Sequence, residues 1–298
     1  MIRRLARAVG RIAGLLTGAY LAAVAIRGSR AIVRPVVRPF LPATDDGPST
    51  PADLGLEFEL VRFTTVDGIV LSGWLIPAGR PTTTAVIVLH GFAGHRLPEL
   101  AAFVPWLAER HHVLQFDFRG HGESGAGAVT LGTHERRDVE AAVTYLAARG
   151  LGPTALFGIS MGAAIAIVAA PELPVAAVVA DAAFAELRHP VANRMCQLGY
   201  PLVGIGSRAI VAAAALRARS RLTDPIRAVS HIAPRGLLLI APKADALTSW
   251  RQSVRLYEAA REPKELYVVE GAAHAEAYAT DPEEYRRRVL GFLERHLG

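Results

Sequence analysis

Apolar positions in most of this chain fall into short runs separated by amphipathic stretches. Phe58 to Thr65 alternates apolar and polar residues, the period of a half-buried strand. Val66-Asp67-Gly68-Ile69 reads as a turn, and Val70 to Ile76 returns as a second strand; Asp-Gly between two such runs signals a hairpin. Thr84 to Leu89 and His112 to Phe118 read as strands buried on both faces. Further strands are expected at Ala155-Leu156-Phe157, Val175 to Ala180, Gly236 to Ile240 and Glu265 to Val269. Helical stretches alternate with them. These are Leu97 to Arg110 (Pro98 in its first turn, Pro105 a potential kink), Thr133 to Ala148 (closed by Gly150), Ala163 to Ala170, Ser249 to Ala260, and Pro282 to His296. Strands alternating with helices after an initial hairpin predict the α/β class, with a mostly parallel eight-stranded sheet and helices on both faces. Ligands of such sheets bind beyond the carboxyl ends of the strands.

The first fifty residues follow another rhythm. Ile12 to Ile26 is uncharged and mostly apolar, flanked by Arg11 and Arg27. It is shorter than the roughly 20 residues of a spanning helix, but flanking arginines can snorkel and lengthen it. Gly10, Gly14, Gly18 and Ala22 form a small-residue ridge of the kind used in membrane helix contacts. Residues 1–34 are therefore read as a basic, apolar anchor: a single-pass helix or signal anchor, with a cleaved signal peptide at Ala23-Val24-Ala25 (leaving a secreted protein) and a docked amphipathic helix as alternatives. Residues 35–53, with Pro35, Pro39, Pro42, Pro48 and Pro51, read as an exposed linker. The catalytic body is expected over 54–298.

Charge sharpens this division. Eight arginines precede the first acidic residue, Asp45, and the rest of the chain holds 25 basic against 27 acidic residues. The basic excess thus belongs to the arm, which argues for a membrane surface and against nucleic-acid binding by the body. The single cysteine, Cys196, excludes an internal disulfide. No cofactor motif or metal-binding cluster is apparent.

The chemistry gathers at Gly158-Ile159-Ser160-Met161-Gly162, a G-x-S-x-G stretch entered from a strand and left through a helix. That context sets Ser160 on a tight bend with its Oγ clear of the backbone, so Ser160 is the candidate nucleophile. The two glycines suit a bend where a Cβ would collide with neighbouring backbone. Asp245 and His274 also lie just past strand ends, as do Asp181 and His90-Gly91-Phe92.

Together with His90-Gly91-Phe92-Ala93-Gly94, Asp117 to Ser124 and Gly271-Ala272-Ala273-His274, these motifs make residues 54–298 resemble the α/β-hydrolase superfamily, in the order Ser, acid, His. Among its branches the chain looks similar to serine hydrolases of the esterase and prolyl-oligopeptidase-like type, some of which carry an N-terminal anchor. The resemblance implies a catalytic triad of Ser160, Asp245 and His274, with the backbone N–H groups of Phe92 and Met161 as oxyanion hole and no cofactor. Asp181 is the rival acid, at a position that serves in some relatives of this fold. His90, Asp117, Arg119, His121 and Glu123 are expected to hold loops rather than to react.

About fifty residues separate Asp181 from Gly236, more than a plain crossover needs. Residues 184–235 are read as a small helical cap, with an extended crossover helix as the alternative. Leu202 to Ala218 is almost entirely apolar, which would favour lipophilic acyl groups. The expected activity is carboxylic ester hydrolysis. Peptidase, thioesterase or acyltransferase chemistry uses the same triad, and a non-catalytic, membrane-anchored binding protein is the rival of another class.

Overall fold

The computed structural model describes residues 1–42 and 47–298. Eight strands form one sheet: β1 (Glu59–Thr64), β2 (Val70–Ile76), β3 (Ala85–Leu89), β4 (His112–Phe116), β5 (Thr154–Ile159), β6 (Ala177–Asp181), β7 (Gly236–Pro242) and β8 (Lys264–Val269). Their order is β1-β2-β4-β3-β5-β6-β7-β8. β2 pairs antiparallel with β1 and β4, and every other pairing is parallel. This is the expected mostly parallel eight-stranded α/β sheet. The hairpin closes at Asp67-Gly68, where Gly68 takes φ 83° and the Thr65 hydroxyl bonds the Asp67 carboxylate at 2.7 Å.

Nine α-helices accompany the strands among the described residues: α1 (Ile2–Val33), α2 (Leu97–Ala108), α3 (Arg136–Ala148), α4 (Met161–Ala169), α5 (Arg188–Gln197), α6 (Val203–Ala218), α7 (Trp250–Ala259), α8 (Ala277–Thr280) and α9 (Pro282–Leu297). The inner strands are buried on both faces, and their side chains alternate between two cores. Leu156 of β5 joins α3, α4 and α7 in one; Ala155, Phe157 and Ile159 join α2 and α9 in the other.

Two boundaries differ from expectation for visible reasons. α3 begins at Arg136, not Thr133, because the buried Glu135 carboxylate bonds the N–H of Thr130 and Gly132 and ties residues 130–135 into a turn, with Leu131 at φ 57°. α2 continues through Pro105 to Ala108.

The N-terminal region departs more. α1 spans 32 residues and is long and apolar enough to cross a membrane by length and composition. Residues 1–19 are exposed, but the second half packs along α6. Tyr20 donates its hydroxyl to Pro201 O at 2.8 Å, and a Cβ on Gly28 would sit 2.7 Å from Ile210. Gly206 of α6 is as close to Met195, with Val24 of α1 just beyond. Close approach therefore uses Gly28 and Gly206, while Gly10, Gly14 and Gly18 touch nothing.

The segment after α1 is tacked to the body rather than standing free. Val33 O accepts from Val129 N, Arg38 N donates to Ala93 O, and Phe40 packs against Trp74 and His95. The apolar bulk of Phe40 and Val33, set among prolines, accounts for this burial.

Candidate active site

β5 ends at Ile159 and α4 begins at Met161, so Ser160 is the whole turn between them. It adopts φ 54°, ψ −108°, a conformation disfavoured for a residue with a Cβ and costing of order 1–3 kcal/mol. The surroundings enforce it. Ser160 N donates to Asp181 O at 2.8 Å on the neighbouring strand. A Cβ at Gly158 would lie 2.3 Å from Gly162 C, and one at Gly162 would lie 2.0 Å from Leu89 O. No side chain fits at either glycine, so strand and helix pack backbone to backbone and the serine is pushed outward.

The side chains of Ser160, His274 and Asp245 meet although 85 or more residues separate the serine from either partner. His274 Nε2 lies 2.9 Å from Ser160 Oγ, and His274 Nδ1 lies 2.6 Å from Asp245 Oδ2. Asp245 follows β7 and is anchored before it meets the imidazole. Its Oδ1 accepts from Leu247 N at 2.7 Å and Thr248 N at 2.8 Å, and its Oδ2 from the Thr248 hydroxyl at 2.5 Å. Burial pushes this carboxyl up, but the bonds from His274 and Thr248 outweigh burial and hold it below its ordinary value. A carboxylate so held fixes the imidazole with its proton on Nδ1 and leaves Nε2 to accept from the serine.

Asp181 is placed differently. It ends β6, and its Oδ2 accepts from the Tyr285 hydroxyl at 2.9 Å while Oδ1 has no partner among the described residues. Complete burial raises its pKa to about 7 against the lowering effect of Tyr285 and His274. The structure thus brings Asp245, not Asp181, to His274 Nδ1.

The loop after β3 carries the other expected site residues. His90 is buried; its Nδ1 bonds Gly91 O at 2.8 Å, and its Nε2 accepts from Phe118 N at 3.0 Å. Burial, with His121 nearby, drives its pKa well down, so it is a neutral loop brace. Ala93 takes φ 55°, turning the loop so that Phe92 is partly exposed. Among the described residues the N–H groups of Phe92 and Met161 have no hydrogen-bond partner. Both follow the carboxyl ends of adjacent strands, β3 and β5.

The Asp117-to-Ser124 stretch locks this loop from behind. Arg96 pairs with Asp117 and Glu123, and its guanidinium stacks 4.1 Å from the Trp74 ring and 4.6 Å from Phe40. Asp117 also accepts from Arg96 N and Glu123 N. Arg119 bridges Asp138 and Asp67, and His121 Nδ1 bonds Arg119 O at 3.0 Å. None of these groups meets Ser160.

Three contributors escaped sequence reasoning: Thr248, Tyr285 and Glu99. Glu99 Oε1 accepts from Gly91 N at 3.3 Å, and burial lifts its pKa to about 8. It sits on the first turn of an amphipathic-looking helix, where a glutamate ordinarily serves the helix end. Thr248, three residues after Asp245, has the spacing of a local side-chain-to-backbone bond, which is the one signal that was readable. Among the described residues no group of three or more His, Cys, Asp or Glu is placed to hold a metal ion.

Known proteins align with this picture. The α/β hydrolase fold family model matches residues 84–195, from β3 through the Ser160 turn into α5. The uncharacterized protein YfhR of Escherichia coli O157:H7 is 30% identical over 248 residues, covering 79% of this chain and 80% of YfhR. The polyketide transferase grgF of a Penicillium species is 27% identical over 291 residues, covering 80% of this chain and 96% of that protein. Among solved structures, the Pyrococcus furiosus esterase Pf2001 superposes with a TM-score of 0.73 at 30% identity, covering 88% of this chain and 99% of the esterase. With an eight-stranded sheet in this order and relatives matched over most of their length, the chain belongs to the α/β-hydrolase fold family.

Proposed function

We propose that this protein is a serine hydrolase that cleaves carboxylic esters, with lipophilic acyl esters as substrates, and that α1 holds it at a membrane. The observation that carries the reading is the hydrogen-bonded line from Ser160 Oγ through His274 to Asp245. Ser160 Oγ attacks the ester carbonyl carbon while His274 Nε2 takes its proton. The carbonyl π electrons move onto oxygen, and the resulting oxyanion is met by the N–H groups of Phe92 and Met161, each worth about 3 kcal/mol in comparable sites. Collapse expels the alkoxide, which takes the proton from His274 Nε2. Water then repeats the sequence on the acyl-enzyme, releasing the acid and restoring Ser160. Asp245 carries no proton in this cycle; it stabilises the imidazolium and fixes its orientation.

Similarity to the esterase Pf2001 supports ester substrates, and the apolar cap sequence supports lipophilic ones. The similarity to grgF, named a polyketide transferase, favours a second reading in which an alcohol or another nucleophile replaces water on the acyl-enzyme.

The test is fluorophosphonate labelling of the full chain beside Ser160→Ala, with p-nitrophenyl esters of increasing acyl length on the same samples. Labelling and hydrolysis that both vanish in the variant are expected. Hydrolysis surviving in Ser160→Ala would overturn the assignment, and a steep preference for acetyl over longer esters would remove the lipophilic part. Added alcohols that divert most acyl groups from acid to new ester would favour transfer.

A further inference from the structure

α1 and the cap share an unusual charge. Residues 1–42 and the helical part of the cap, 187–223, contain fourteen arginines and no acidic residue (Glu186 and Asp224 bound that part), while the remainder of the chain holds 19 basic against 27 acidic residues. The two segments are distant in sequence but packed together in space, α1 along α6. Among the described residues none of these fourteen arginines pairs with a carboxylate, whereas Arg96, Arg119, Arg149, Arg255 and Arg288 on the rest of the molecule all do. Arg194, Arg208, Arg217, Arg219 and Arg221 on the cap are exposed.

The same lobe carries most of the exposed large apolar side chains. On α1 these include Ile2, Leu5, Val9, Ile12 and Leu16; on the cap they are Leu198, Leu202, Ile205 and Leu216. The Tyr20–Pro201 hydrogen bond places the turn between α5 and α6 beside α1, so the two apolar sets adjoin. At 3.6 residues per turn, Arg3, Arg4, Arg7 and Arg11 fall within an arc of about 100°, and Ile2, Leu5, Val9, Ile12 and Leu16 within a similar arc on the opposite side. Over these first four turns that is the pattern of a helix lying along a bilayer surface, with Leu15, also exposed, falling nearer the arginines. Crossing would also pull Tyr20 to Val33 off α6, since the undocked half carries four arginines in its first eleven residues.

We infer that α1 and the cap together form one membrane-contacting surface that binds anionic phospholipid, with α1 in the plane of the interface and the α5–α6 turn dipping beside it. Unpaired arginines with no acidic neighbour in their own segments match a negative headgroup layer, and the adjoining apolar side chains match the acyl boundary beneath. This rests on the membrane-holding part of the proposed function and not on its chemistry. It adds that the cap itself touches lipid.

The chain's single cysteine supplies the test. Cys196 is exposed at the end of α5, two residues before Leu198. The full chain is labelled there with an environment-sensitive nitrobenzoxadiazole dye and mixed with vesicles of phosphatidylcholine alone or with 30% phosphatidylglycerol. Vesicle binding, dye emission and p-nitrophenyl ester turnover are read together. The expected result is a blue shift with phosphatidylglycerol that salt weakens. In the triple variant Arg194→Gln, Arg208→Gln, Arg217→Gln, affinity should fall on the order of 100-fold with turnover of soluble ester unchanged. Binding to vesicles while the dye stays in water would leave α1 as a lone tether and overturn the inference, sparing the proposed tethering. No vesicle binding at all would overturn both, and turnover would report on the hydrolase separately. A blue shift without vesicles that grows with protein concentration would assign the surface to a second copy, also overturning it.

Discussion

Tyr285 on α9 donates its hydroxyl to Asp181 Oδ2 at 2.9 Å, and that bond engages the carboxylate that competes with Asp245 for the proposed role of triad acid. The two carboxyl groups end neighbouring strands yet serve different partners. Asp245→Asn is expected to reduce turnover on the order of 10⁴-fold, because an amide cannot hold the imidazole in the tautomer that accepts from serine. Asp181→Asn should cost less than about tenfold. Steady-state kinetics on a p-nitrophenyl ester checks this; the reverse ranking would make Asp181 the acid.

Tyr285→Phe removes the hydroxyl and leaves the fully buried Asp181 carboxyl without its side-chain donor. A loss of about 1–3 kcal/mol in urea unfolding is expected, the cost of an unsatisfied buried polar group. Turnover at a temperature where both proteins are folded should change little.

Glu99 gives a pH dependence with a defined direction. Its folded pKa is raised from 4.5 to about 8, chiefly by burial. Above 4.5 the unfolded chain releases this proton while the folded protein keeps it, so the folded state is progressively disfavoured as pH rises toward about 8, and no further beyond. Glu99→Gln keeps an acceptor for Gly91 N without the titration. The variant should therefore gain on the wild type between pH 5 and about 8 in urea midpoints, with the gap constant above that. A gap independent of pH would show that Glu99 does not hold its proton.

Gly162→Ala places a methyl group 2.0 Å from Leu89 O, a backbone atom of the neighbouring strand that cannot rotate away. A destabilisation of about 3 kcal/mol or more is expected, with loss of fluorophosphonate labelling even in folded material. Gly14→Ala, with nothing within 4 Å, should be neutral or slightly stabilising, since alanine is the better helix former. Circular dichroism melts compare the two.

Arg96 and Asp117 are buried and paired, so Arg96→Met should cost about 3–5 kcal/mol by leaving Asp117 unpaired. Arg96→Lys is not expected to rescue it. An ammonium cannot reach Asp117 and Glu123 together while also contacting the Trp74 and Phe40 rings. Urea unfolding of both variants decides this.

The fold was legible because its signals are local. Strand runs such as Val70–Ile76 carry their own periodicity, and the G-x-S-x-G stretch carries its own turn. Ser160, Asp245 and His274 were legible for a related reason: a parallel sheet brings strand ends to one edge, and each residue follows such an end. Position alone did not separate Asp245 from Asp181. The deciding bonds, Thr248 to one and Tyr285 to the other, come from a turn and from a helix more than a hundred residues away. The start of α3 was misplaced because Glu135 spends its side chain on the preceding turn. A docked helix was one of the readings of residues 1–34, but its partner α6 was invisible for the plainest reason. Gly28 and Ile210 are 182 positions apart, and nothing in either segment names the other.

Arg38 N donates to Ala93 O, the central residue of the loop that bears Phe92, and Phe40 lies over the guanidinium that braces the same loop. The stretch that follows α1 is therefore part of what holds the loop bearing Phe92. A version trimmed to begin at the first strand would lose more than α1. It would lack the packing on one side of the Phe92 loop, and a chain without this segment must supply another aromatic contact for Arg96.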